Sequence, residues 1–210
     1  MAYRAVIFDL GGVVFPSPFE AFDTYDHGND LKKGTMRALI RTSSESGAWA
    51  ALERGELNMD EFVVALETEA TAAGFVLDAR RLMGLIGSSL GPRPEMANAI
   101  RVFRSHGLRT GALTNNWTDE RSTSSPSGLH ESGLFDVVVE SAVEGLRKPD
   151  PRIYALALAR LNVLASEAVF LDDLGMNLKP AREMGMATIK VVDPDDALAE
   201  LETILGFALR

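Results

Sequence analysis

Asp9 follows directly on the apolar run Ala5-Val6-Ile7-Phe8, and Thr114-Asn115, Lys148 and Asp172-Asp173 stand at or just beyond later apolar segments. A carboxylate in such a place can act as a nucleophile that accepts a phosphoryl group, splitting a hydrolysis into two easier steps. It needs a hard cation beside it, and Asp173 with Asp172 can supply further oxygen ligands for Mg²⁺, which prefers carboxylates, water and substrate oxygens. Thr114 can offer a hydroxyl and Asn115 an amide to non-bridging phosphate oxygens. Lys148 adds positive charge where negative charge builds up. Each residue alone has a plainer explanation, Asp9 as a turn or cap residue and Lys148-Pro149 as a solvated loop. Their occurrence together, in this order, is what carries the chemical reading.

These side chains converge only if the right elements hold them. Ala5–Phe8 before Asp9 and Gly11-Gly12 reads as a buried strand ending in a tight turn. Thr110–Leu113, Phe135–Val139, Ala168–Leu171 and Ala187–Val192 repeat the pattern. Helices are predicted between them at about Pro94–His106, Pro151–Leu161, Leu178–Met184 and Asp195–Leu205. Asp150-Pro151 supplies an N-cap and a proline at the first helical position, and Pro180 falls in the first turn of its helix. Nearly all-apolar strands alternating with helices point to an α/β fold with a doubly wound parallel sheet. In such a sheet ligands bind outside the carboxyl ends of the strands, where Asp9, Thr114-Asn115 and Asp172-Asp173 all sit.

The segment from about Ser17 to Ser88 breaks the alternation with several helix patterns and no convincing strand. Asn58-Met59-Asp60-Glu61 looks like a capping-box variant opening a helix to about Ala73, with a second helix from about Asp78 to Ile86. The expected organisation is a core of residues 1–16 and 89–210, interrupted by a helical unit over 17–88. Ser122–Gly128, Ser-rich with Pro126, reads as a surface loop.

The 210 residues include 21 Lys+Arg against 30 Asp+Glu, a formal net charge of −9. An acidic balance argues against nucleic acid or an anionic membrane as partner, since both demand a basic face. A phosphorylated small substrate remains compatible, because one local cation can override the global sign. There is no Cys, which excludes disulfides, thiolate metal sites and cysteine nucleophiles. The N-terminal apolar stretch is too short for a signal peptide, and no apolar run approaches the ~18 residues needed to span a bilayer. A cytoplasmic location is expected.

Four segments carry a resemblance: Phe8-Asp9-Leu10-Gly11-Gly12-Val13, Leu113-Thr114-Asn115, Arg147-Lys148-Pro149-Asp150-Pro151-Arg152-Ile153-Tyr154, and Phe170-Leu171-Asp172-Asp173-Leu174-Gly175-Met176-Asn177. They resemble the four motifs of the haloacid dehalogenase-like (HAD) hydrolase superfamily. Thr114-Asn115-Asn116-Trp117, Glu140-Ser141 and Asn177-Leu178-Lys179-Pro180-Ala181-Arg182 are similar to the N-terminal phosphatase domain of soluble epoxide hydrolase and to the hydrolase-like N-terminal segment of some acyl-CoA dehydrogenases. The resemblance implies a Rossmann-like core with an inserted α-helical cap over 17–88. It implies Asp9 as the nucleophile forming an aspartyl-phosphate, Thr114 and Asn115 as phosphate-binding residues, and Lys148 as stabiliser of the transferring group. For Mg²⁺ it implies Asp9, Asp173 and the Gly11 backbone carbonyl as ligands, with Asp172 and Asn177 shaping the metal site.

Gly11 departs from the pattern. Most phosphatases of the superfamily carry a second Asp there as general acid/base, and loss of a positioned acid costs ~10²–10⁴ in rate. The carbonyl that would meet the metal is unaffected. Dehalogenases proper carry an aromatic residue at this position, which disfavours that activity.

The expected function is therefore Mg²⁺-dependent phosphomonoester hydrolysis of a small phosphorylated metabolite. A weakly catalytic binding or dimerisation module, with a homodimer formed through the cap or the C-terminal helix, is the alternative from another class. Metal-independent dehalogenation is a third. His27, His106 and His130 are scattered and form no Ser–His–Asp arrangement. The carboxylates from Glu53 to Glu69 read mostly as a solvated helix face, and Trp49 and Phe62 as cap core.

Overall fold

The computed structural model describes residues 3–42, 45–87, 91–118 and 133–209; the Ser-rich loop expected at Ser122–Gly128 lies outside them. Five short apolar segments form β1 (Ala5–Phe8), β2 (Arg109–Thr114), β3 (Val137–Glu140), β4 (Ala168–Asp172) and β5 (Ala187–Lys190). They pair in parallel in the order β3-β2-β1-β4-β5.

Both faces of the sheet are covered, which is why its strands lack a polar alternation. Val6 and Phe8 pack toward α6 (Pro94–Ser105) and the last helix, α10 (Pro194–Leu205), with Ile100, Phe103, Leu198 and Leu201. Ala5 and Ile7 point the other way, onto α8 (Pro151–Leu161) and α9 (Gly175–Glu183), through Ile153, Tyr154, Leu158 and Leu178. Asp150 caps α8 by accepting from Arg152 N at 2.9 Å, and Asp193 caps α10 from Asp195 N at 2.9 Å.

Among the described residues five helices lie between β1 and α6: α1 (Pro18–Gly28), α2 (Thr35–Thr42), α3 (Ala48–Glu53), α4 (Met59–Ala72) and α5 (Ala79–Gly87). Asn58 and Glu61 form a reciprocal capping box at the start of α4. Phe22, Tyr25, Met36, Trp49, Leu52, Phe62, Leu66 and Leu82 build a core separate from the two sheet faces. Trp49 stands edge-on to Phe22, Phe62 and Trp117. Buried Asp26 pins the α1–α2 turn by accepting from Gly34 N at 2.8 Å and Met36 N at 3.2 Å.

Some boundaries move from their sequence expectations for visible reasons. β3 starts at Val137: at Asp136 the backbone N still donates to Thr110 O at 2.9 Å, but Thr110 N is taken by the Asp136 side chain at 2.8 Å. β5 stops at Lys190, and Val192 is exposed. α9 begins three residues earlier than expected, at Gly175, so Pro180 lies inside the helix and not in its first turn. Asp172, gripping both Leu174 N and the Asn177 amide, nucleates that earlier start.

Candidate active site

The strand register brings the chemistry-bearing residues together. Phe8 lies opposite Ala112 of β2 and Leu171 of β4, so the next residue, Asp9, comes level with Leu113 and Asp172. Asp9 N donates to Leu171 O at 2.8 Å, which holds it beside the end of β4. Thr114 and Asp172 end β2 and β4.

Lys148 joins the carboxylates. Its Nζ lies 2.7 Å from Asp9 Oδ1 and 2.7 Å from Asp172 Oδ2, and the side chain is buried to within 1 %. Burial alone would strip its proton, but the charges of Asp172 and Asp9 outweigh that and hold the ammonium above its ordinary pKa. Asp172 is saturated: Leu174 N reaches Oδ1 at 2.8 Å, and Asn177 Nδ2 reaches both oxygens at 3.0 and 3.1 Å. Tyr154 in turn donates to Asn177 O at 2.7 Å, fixing that residue from α8.

Asp9 Oδ1 accepts from Leu10 N at 2.6 Å as well as from Lys148. Among the described residues no donor reaches Oδ2. Burial, against the pull of Lys148 and reinforced by Asp172 and Asp173, pushes the Asp9 carboxyl well above the usual carboxylate range. Asp173 is only half-buried, and burial followed by the charge of Asp172 lifts it to about 6. Ligand oxygens of Asp9, Asp172 and Asp173 lie within 4.8 Å of one another. Three carboxylates thus face one ammonium, and the excess negative charge has nowhere to go but into protonation. A divalent cation fits this oxygen set on charge and on donor hardness.

Gly12 makes the approach of Asp173 geometrically feasible. Its φ is +82°, and a Cβ there would stand 2.3 Å from Asp173 Oδ2. Gly12→Ala is therefore expected to strain the turn by about 1–3 kcal/mol and to displace Asp173. Urea unfolding of the variant checks the first effect, and a wild-type midpoint would contradict it.

The other candidates are placed as follows. Thr114 is buried, and among the described residues its hydroxyl makes only a long 3.4 Å contact to Asn115 O. The Asn115 amide is engaged with the Lys148 backbone: Oδ1 accepts from Lys148 N at 2.8 Å and Nδ2 donates to Lys148 O at 3.1 Å. Gly11 is half-buried, and a Cβ on it would meet Pro18 Cδ at 3.2 Å. Asn116 N and O both meet the Ser141 hydroxyl, joining the loop after β2 to the start of α7 (Ser141–Glu144), the short helix that directly follows β3.

Sequence reasoning missed Glu53. It is buried at the end of α3, not solvated, and accepts from Trp49, Arg147 and Asn115. A signal existed: Trp49, Leu52 and Glu53 share one helix face by spacing.

Comparisons with known proteins agree with this architecture. Residues 3–185 match the family model of the haloacid dehalogenase-like hydrolases. Acyl-CoA dehydrogenase family member 10 of Mus musculus is 42% identical over 214 residues, covering all of this chain and 20% of that protein. Bifunctional epoxide hydrolase 2 of Sus scrofa is 34% identical over 221 residues, all of this chain and 40% of that protein. The chain thus spans well under half the length of either relative. Sesquiterpene phosphatase astK of Aspergillus oryzae is 29% identical over 208 residues, 97% of each chain. A solved HAD-like family hydrolase from Porphyromonas gingivalis superposes with a TM-score of 0.67 over 98% of each chain at 22% identity, a likeness of fold alone. Among the described residues no helix is long and apolar enough to cross a membrane. With its parallel α/β sheet, a carboxylate–lysine cluster at the strand ends and a family match over most of its length, the chain belongs to the haloacid dehalogenase-like hydrolases.

Proposed function

We propose that the protein is a Mg²⁺-dependent phosphomonoester hydrolase acting on a small phosphorylated metabolite through an aspartyl-phosphate. The observation that carries this reading is the asymmetry of Asp9. Two donors hold Oδ1, while Oδ2 meets none among the described residues. Oδ2 attacks phosphorus, the Oδ2–P bond forms and the ester P–O bond breaks. The leaving oxygen takes its proton from water, since Gly11 has no side chain to give one. Water then attacks the phosphoryl group, the Oδ2–P bond breaks, and inorganic phosphate leaves.

The chain's own residues divide the remaining work. Lys148 keeps Asp9 oriented and offers positive charge to the transferring group. The Thr114 hydroxyl, which has no strong partner among the described residues, donates to a phosphate oxygen. Asp9, Asp173 and the Gly11 carbonyl hold Mg²⁺, with Asp172 and Asn177 steadying that set. When bound, the cation neutralises phosphate charge. The helices of residues 17–88 serve as a cap that excludes water and selects substrate. A phosphatase among the relatives that spans nearly its whole length with this chain supports the reaction class.

The deciding experiment is phosphate release from an aryl phosphate, with and without Mg²⁺. Such a substrate has a good leaving group and needs little help from the acid that Gly11 lacks. Metal-dependent release establishes the reading, whereas tight binding of the ester without turnover assigns the site to recognition.

Metal should also reshape the pH dependence of stability. An unfolded Asp titrates near 3.9, and Asp173 in the fold titrates at about 6. The raised value means that its contribution is fully present below about pH 4 and is lost as pH rises through 6. The metal-free protein should therefore weaken between pH 4 and 7, by at most about 2–3 kcal/mol from this group. Mg²⁺ counters that loss, so its stabilisation should be small at pH 5 and larger at pH 7.5. Thermal unfolding with Mg²⁺ or EDTA at the two pH values reads the difference; an equal gain at both would contradict it.

A further inference from the structure

The cap meets the catalytic loops through one buried carboxylate. Glu53 Oε2 accepts from Arg147 Nε and Nη2, each at 2.7 Å, and from Asn115 Nδ2 at 3.3 Å. Its Oε1 accepts from Trp49 Nε1 at 2.9 Å. Arg147 immediately precedes Lys148, and Asn115 clamps the Lys148 backbone from both sides, N at 2.8 Å and O at 3.1 Å. The same amide thus grips Lys148 and touches the cap carboxylate. Lys148 then carries the connection to Asp9 at 2.7 Å.

Two further contacts run along the same seam. Gly55, two residues past Glu53, has φ +68°, and a Cβ there would stand 2.5 Å from Ala142 O, so the end of α3 rests directly on the backbone after β3. Trp49 of the cap stands edge-on to Trp117, three residues beyond Thr114, with ring centroids 5.9 Å apart. α3 is therefore seated on the loop that follows β2 and on the short helix Ser141–Glu144 that follows β3.

We propose that Glu53 is a positioning residue: seated on Arg147 and Asn115, it fixes the Lys148 loop, so that the ammonium is held against Asp9 only while the cap is closed on the core. This rests on the phosphatase reading above for its kinetic consequence, though not for its structural one. A carboxylate that reaches across the seam to the neighbour and the clamp of Lys148 makes catalytic geometry conditional on cap seating. Displacement of a positioning contact by about 1 Å can cost 10²-fold in rate.

The test uses Glu53→Gln, Arg147→Met and the double variant in the full chain. With an aryl phosphate, each single variant should lose about 10–100-fold in kcat while KM moves by less than about threefold. The double variant should be no worse than either single, because one link is cut in both cases. A lower melting temperature with unchanged kcat at 25 °C, or losses that multiply in the double variant, would overturn the proposal. A second readout needs no turnover. Hydrogen exchange of the Lys148 amide, which Asn115 protects, should quicken in Glu53→Gln, and emission from the two tryptophans, Trp49 and Trp117, should change as their edge contact loosens. If the wild type releases no phosphate, the reaction reading fails while these two signals still decide the positioning role: unchanged exchange and emission would overturn it.

Discussion

Asp9→Asn should reduce phosphate release from an aryl phosphate by at least ~10³-fold, to the level of the reagent blank. The substitution is nearly isosteric. Asn keeps an oxygen that can accept from Leu10 N and Lys148, so the hydrogen bonds at 2.6 and 2.7 Å have a partner after the change. What disappears is the carboxylate oxygen free to attack. Stability should not fall with activity, because Asp9 is buried and pushed toward its neutral form, and removing its charge relieves part of the excess beside Asp172 and Asp173. The variant should melt at or above the wild-type temperature and still bind inorganic phosphate, since one repelling charge is gone. Retention of more than about a tenth of wild-type turnover, with deamidation back to Asp excluded by mass spectrometry, would show that Asp9 is not the nucleophile.

The sheet and the gathering of Asp9, Thr114 and Asp172 at its carboxyl edge were legible because their signals are local. Four-to-six-residue apolar runs ending in Asp or Thr mark strands buried on both faces, and the rule that sites lie at strand carboxyl ends then groups Asp9, Thr114 and Asp172 without knowledge of strand order. The bond network behind them was not legible. That Asn115 spends its amide on the Lys148 backbone depends on how close the loops after β2 and β3 approach, a distance no spacing along the chain encodes. Glu53 shows the limit more sharply. Charge on a helix is ordinarily solvated, and the partner that makes burial tolerable, Arg147, lies 94 residues away.

Gly11 is not a vacancy that a mutation could simply fill. A Cβ there would press on Pro18 Cδ at 3.2 Å, and Pro18 is the first residue of α1. The turn after Asp9 and the entry into the cap are therefore packed around the absence of a side chain. A side chain at this position would press that ring by a few tenths of an ångström, so its cost is set by how far the start of α1 can give.

Lys148→Met should cost about 3–5 kcal/mol of stability at neutral pH, the range for removing one partner of a buried ion pair. The methionine fills most of the lysine's volume beside Phe170, whose ring centre lies 5.6 Å from Nζ, so the loss is electrostatic and not a cavity. Asp9 Oδ1 and Asp172 Oδ2 both lose a cation at 2.7 Å in a site closed to solvent. Burial already raises the Asp9 carboxyl, and without the Lys148 charge that pulls it down, Asp9 holds its proton to still higher pH. Raised carboxylate pKa values contribute stability at low pH that is lost as pH increases. The gap between variant and wild type should therefore be narrow at pH 5 and wide at pH 7.5, the same direction as for a surface pair broken by acid but at higher pH, because burial raises the Asp9 carboxyl. Screening should not close it, because added salt reaches buried charges poorly. Turnover should fall by ~10²–10³-fold as the charge facing the transferring group disappears. Urea unfolding at the two pH values separates the effects. A pH-independent loss would mean that Lys148 serves packing alone, whereas a loss that widens with pH identifies it as the counter-charge on which the ionised state of Asp9 depends.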